Sequence, residues 1–127
     1  MKLTSINFNE VEIQFLLKDL EMFHNIIKEV ELALPKSDFE IRLGASSRQA
    51  RAFFETILKN IKQSGESEIK ISLSHFEMYL LNDLLNEACH GISIPNFESK
   101  IGVSKQEAVN LLNLVYETRR KICFRET

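Results

Sequence analysis

The side chains of this sequence with the widest chemical repertoire are His24, His75, His90, Cys89 and Cys123. The histidines lie on separate stretches, and neither Cys-x-x-Cys nor His-x-x-x-His spacing occurs. That pattern predicts no metal site. Two cysteines make no disulfide framework. Cys89 and His90 are neighbours in a helical stretch, so they point about 100° apart. A buried thiol beside a solvent-facing ring is the expectation. No G-x-S-x-G elbow, P-loop or glycine-rich dinucleotide turn is present. Four glycines leave few places where backbone can cradle a phosphate. No nucleophile stands beside a base, no carboxylates pair for acid–base work, and no cofactor fingerprint occurs. The reading is a non-enzyme without a cofactor.

Charge gives a more positive signal. Between Lys70 and Lys100 there is no lysine or arginine, while Glu77, Asp83, Glu87 and Glu98 fall inside that gap. On a helix over about 75–90, Phe76, Leu80, Leu81, Leu84, Leu85 and Ala88 fill an inner arc. His75, Tyr79, Asn82, Asp83, Asn86 and His90 fill the outer one. Tyr79, Asp83, Asn86 and His90 together make an acidic strip carrying an aromatic ring, a candidate docking face for a basic protein partner. The plain alternative is a solvated helix face. Basic residues gather instead at Arg119-Arg120-Lys121 and Arg125. Glu87 falls at the edge of the apolar arc, where an acid is costly unless it is paired. Its expected role, shared with Glu29, is to tie down the following turn through backbone amides.

The elements that position these residues read as one block used twice. Residues 10–64 slide onto 68–122 without a gap, an offset of 58. Glu10/Glu68, Ile13/Ile71, Glu29/Glu87, Phe39/Phe97, Glu40/Glu98, Gly44/Gly102, Ser46/Ser104 and Ala50/Ala108 are identical pairs. Each block opens on strict alternation, Val11–Phe15 and Ile69–Leu73, which predicts a half-buried strand. A long helix follows over about 16–33 and 75–90, the second opened by a Ser74–Glu77 capping box. Pro35 ends the first helix and Gly91 sits at the end of the second. A short turn or single helical turn around Phe39 and Phe97 closes at Gly44 and Gly102. Ser46-x-x-Gln49 and Ser104-x-x-Glu107 then cap helices reaching about Gln63 and Lys121. Their inner faces are Phe53, Phe54, Ile57, Leu58 and Ile61 in one, and Leu111, Leu112, Val115 and Tyr116 in the other. Residues 64–67 link the blocks. Residues 3–8 predict an extra strand, turning through Asn9-Glu10. A unit of under 60 residues buries its own apolar faces poorly. The fold expected is therefore α+β and mostly helical: two β-α-α blocks in a single domain over 1–127, packed with pseudo-twofold symmetry around a small sheet.

Residues 84–102 resemble a pattern found in small bacterial proteins. Leu84-Leu85-Asn86-Glu87 and Gly91-Ile92 form its helix end, followed by Asn96-Phe97-Glu98 and Ile101-Gly102. The likeness covers about 70–115. This chain has Asn96 where the pattern usually has aspartate. Its first block reads Lys28-Glu29-Val30-Glu31-Leu32-Ala33 in place of the helix end. Some of those proteins look like immunity proteins of contact-dependent inhibition and polymorphic toxin systems. The resemblance implies a cytoplasmic, non-enzymatic protein that binds and blocks a cognate toxin, often a nuclease, by covering a functional surface. It assigns no site residues.

The competing reading is a DNA-binding regulator or antitoxin. Residues 97–115 run in the order helix, Gly-Val-Ser, helix, as in a helix-turn-helix. Ser104, Lys105, Gln106 and Asn110 would face bases but carry one positive charge, so nucleic acid is the weaker partner. A structural subunit is the third reading. With 127 residues, 44 % hydrophobic, 27 % charged and a net charge of −2, the chain has ordinary globular composition. No apolar run reaches the roughly 18 residues of a membrane helix. The start lacks the apolar core of a signal peptide, so a cytoplasmic protein is expected.

Overall fold

The computed structural model describes residues 1–6 and 10–126, with side chains as far as Lys121. Over the described residues its architecture is α+β, with six α-helices, one π-helical turn and a three-stranded antiparallel sheet of order β1-β2-β3. The elements follow as β1 (Lys2–Ile6), β2 (Val11–Leu16), α1 (Leu17–Ala33), α2 (Lys36–Leu43), α3 (Ser47–Ser64), β3 (Glu68–Leu73), α4 (His75–Asn86), α5 (Phe97–Ile101) and α6 (Lys105–Glu126). Phe8 and Asn9, at the turn expected between the first two strands, lie outside the described residues. So do the side chains of Cys123 and Arg125.

Alternation sets the sheet. Val11, Ile13 and Phe15 point to one face of β2 and are buried. Their partners in β3 are Leu73, Ile71 and Ile69. The helices cover that face. One buried cluster runs through β2, β3 and the helices of both halves of the chain.

Local signals account for the helix ends. Leu16 N–H donates to Asp19 Oδ2 at 2.8 Å, and Ser74 N–H donates to Glu77 Oε1 at 2.9 Å. Both bonds satisfy backbone donors at a helix start. Ser46 and Ser104 accept from the amides of Gln49 and Glu107, each at 3.1 Å. Gly44 and Gly102 end α2 and α5 at φ +70° and +100°, a region L side chains avoid. Each donates its N–H to a glutamate carbonyl one turn back, Glu40 and Glu98, at 2.9 Å. Pro35 separates α1 from α2. The segment expected as a short turn or single helical turn is a helix of two turns around Phe39 and a helix of five residues, about one turn, around Phe97.

The long helices pack as α1 on α3 and α4 on α6. The short helices cross over: α5 packs on α1, and α2 packs on α4. Asn25 of α1 donates from Nδ2 to the Ile101 carbonyl at 3.0 Å, closing α5 from the opposite half. Each half therefore completes a helix end or a packing face of the other.

Candidate docking site

α4 carries the four residues singled out in the sequence. Asn86 and His90 are exposed, Asp83 is half-buried, and Tyr79 is 37 % exposed. Tyr79, Asp83 and Asn86 follow helical spacing along one line of α4. His90 lies beyond the end of α4 and is exposed. After Asn86 the chain runs into a π-helical turn, Glu87–Gly91, closed by Ile92 N–H on the Glu87 carbonyl at 2.9 Å. The wider turn holds more residues per revolution than an α-helical one.

The π turn is built around Glu87. Its carboxylate is buried and takes a two-pronged bond from Arg42 of α2: Nε at 2.9 Å and Nη2 at 2.6 Å. The partner is a guanidinium from the other half of the chain, where backbone amides were expected. Planar guanidinium and carboxylate fit edge to edge, the strongest side-chain pairing available. Gly91 is required by this arrangement. A Cβ there would lie 2.6 Å from Glu87 Cδ and 2.9 Å from Oε1. Its backbone is not left-handed, so the need is for space rather than for positive φ.

Packing also revises the two arcs of α4. Phe76, expected inside, is 56 % exposed. Asn82, expected outside, is buried, as is Met78. The reason is that α4 is covered on more than one side, by α6 and by α1 and α2. Asn82 Nδ2 reaches Asp83 Oδ1 at 3.4 Å, and Asn82 Oδ1 has no hydrogen-bond partner among the described residues. Cys89 is a buried free thiol, pushed up in pKa by that burial, and His90 beside it is exposed.

The strip is not purely acidic. Arg119 of α6, which the sequence groups with Arg120 and Lys121, lays its guanidinium over Tyr79 at 4.5 Å from the ring centroid. The Tyr116 ring lies 6.0 Å from the same group. Tyr116, expected on the inner face of α6, is 46 % exposed. Asp83 is pushed above its ordinary pKa by burial, against the lowering effects of the Asn82 amide and of Arg119, with Glu87 raising it further. The assembled surface sets the Arg119 guanidinium against Tyr79, with the Tyr116 ring nearby; Asp83 and Asn86 follow along α4. Sequence reading missed Arg119 and Tyr116 because they come from α6. A guanidinium one helical turn from a tyrosine, Tyr116 and Arg119, was the available signal.

Elsewhere, no group of three metal-ligating side chains occurs among the described residues. No helix of the described residues is long and apolar enough to cross a membrane. The helix-turn-helix reading needs a first helix ahead of Gly102, and α5 supplies five residues. Lys105, Gln106 and Asn110 are exposed at the start of α6, and Gln106 Nε2 is bonded to Asn110 Oδ1 at 2.9 Å. Comparison with protein-family models finds no match, and comparisons with curated proteins and with solved structures find none.

Proposed function

We propose that this chain is a non-enzymatic protein-binding module of the immunity type, acting in the cytoplasm by covering a functional surface of a cognate bacterial toxin. The observation that carries the reading is the patch on α4 and α6. Tyr79, Tyr116 and Arg119 are the residue types that dominate binding energy at protein interfaces. They stand here on two rigid helices, partly exposed and already ordered against one another, which lowers the entropy lost on docking. Asp83 and the exposed Asn86 supply the polar border that directs orientation and rate of encounter.

The scaffold reading belongs with it. We infer a single domain built by duplication of one 58-residue unit, with a pseudo-twofold axis through the sheet. Ile13 faces Ile71, its own counterpart at that offset, across the β2–β3 pair. A twofold axis between two antiparallel strands requires such self-counterpart pairing. The α1–α5 and α4–α2 packings are likewise counterparts. A duplicated scaffold gives one copy latitude to diverge into a binding face while the other keeps the core.

The test is co-purification with the product of the adjoining upstream gene, combined with rescue of cells that express it. The intact chain should form a complex and restore growth. Arg119→Ala and Tyr79→Ala should each weaken the complex by about tenfold or more, with thermal unfolding nearly unchanged. No complex and no rescue would remove the reading. Retarded migration of promoter DNA, steeply dependent on salt, would favour the DNA-binding alternative instead.

A further inference from the structure

We propose that β3 is a self-complementary edge through which two copies of this chain pair their sheets. The sheet has two edges, and they differ. β1 breaks register against β2 between Leu3 and Ser5. An irregularity of that kind bends an edge strand and discourages further pairing. β3 keeps six consecutive pairs with β2, from Val11↔Leu73 to Leu16↔Glu68, and no described strand lies on its far side. Its outer row of backbone groups is a straight template.

Burial on β3 shows what a second strand would cover. Ile71 and Ile69 share the core face with Ile13 and Phe15, which are buried. The helices cover the central strand fully but leave both isoleucines only half-buried. A second copy paired with Ile69 opposite Ile69 would bring Ser67 opposite Ile71, so its strand would lie beside both isoleucines.

Charge identifies the occupant as another copy. Glu68 and Lys70 are exposed on the opposite face and make no ion pair among the described residues. Lys70 has Gln14 beside it in β2, not an acid. Antiparallel pairing that sets Ile69 opposite Ile69 of a second copy sets Glu68 opposite Lys70 twice. Opposite charges directly across a sheet attract, and like charges repel. A twofold contact of this kind closes after two chains, so it makes a dimer and not a fibre. A lysine on an edge strand ordinarily deters pairing. Here the acid two residues away supplies its counterion as soon as the partner is a copy.

Sedimentation equilibrium on the isolated chain, from micromolar to near-millimolar concentration, tests this without any toxin. The expected result is a monomer–dimer equilibrium. Lys70→Glu and Glu68→Lys should each weaken dimerisation by about tenfold or more, because each turns two attractive pairs into two repulsive ones. Both positions are exposed, so circular dichroism should be unchanged. Mixing the two variants should restore dimers, since a chain with two acids then meets a chain with two lysines. A chain that stays monomeric throughout overturns the proposal. So does a dimer that ignores both charge reversals, or a mixture that pairs no better than its components.

Discussion

Two helix seams of the same topology are filled in different ways. Between α1 and α3, Phe23 stacks on Phe54 with centroids 4.7 Å apart and planes 12° apart. Phe53 meets Phe54 edge to face at 4.9 Å. Leu20 and Ile27 complete an apolar floor under an open groove of about 400 Å³. Between α4 and α6 the residues 58 positions on from Phe23 and Phe54 are Leu81 and Leu112. Polar side chains enter this seam: Asn82 and Thr118 are buried, and Arg119 lies across Tyr79. Aromatic stacking gives stability without direction. Amide, guanidinium and carboxylate groups give direction but must be desolvated. The first seam is the more aromatic of the two, with an Arg51–Glu31 ion pair also tying its helices, and the second carries the face proposed above for docking.

The contrast breaks most visibly at Phe54. Phe54→Ala removes a ring that stacks with one neighbour and meets another edge-on. Urea unfolding should show a loss of about 3–5 kcal/mol. A loss under 1 kcal/mol would mean that the aromatic stack of the α1/α3 seam does not hold the fold. Arg42→Ala comes next. It strands the buried Glu87 carboxylate and frees the π turn. The expected cost is about 2–4 kcal/mol, below that of a fully buried pair because water reaches Arg42. Chemical denaturation measures it, and Glu87→Gln should recover part of the loss in that background.

Smaller effects sharpen the picture of the second seam. Asn82→Leu removes the buried Oδ1 that has no partner among the described residues. Stability should rise by about 1 kcal/mol, read as a higher denaturation midpoint. A fall would show that Asn82 is satisfied by a group that Leu cannot replace. Asp83→Asn has the least effect and depends on pH. The folded state holds Asp83 at a raised pKa, so it binds a proton more tightly than the unfolded chain. The wild type therefore loses stability as pH rises above about 4, the ordinary aspartate value. The variant should be slightly more stable at neutral pH, and the gap should close toward pH 3. A gap that widens in acid would contradict the burial argument.

Much of the scaffold was legible in the chain. Alternation marked β2 and β3 to within a residue at each end. Ser46, Ser74 and Ser104 marked helix starts, and Gly44 and Gly102 marked helix ends. Such signals act over three to five residues, so they survive without tertiary context. The arcs of α4 were less legible. A helical wheel assumes one covered side, and α4 is covered on several, so Phe76 and Asn82 exchanged their expected places.

The residues themselves determined where the chain bends, which faces are apolar and which elements form. Those choices follow from backbone sterics and from the spacing of nonpolar side chains. Only the tertiary structure decided who meets whom. It brought Arg42 to Glu87 across 45 positions of sequence, set Asn25 on the Ile101 carbonyl and laid Arg119 over Tyr79. Each of those contacts joins groups from separate helices. Their distance depends on how the helices cross, and that crossing is settled by the whole core at once.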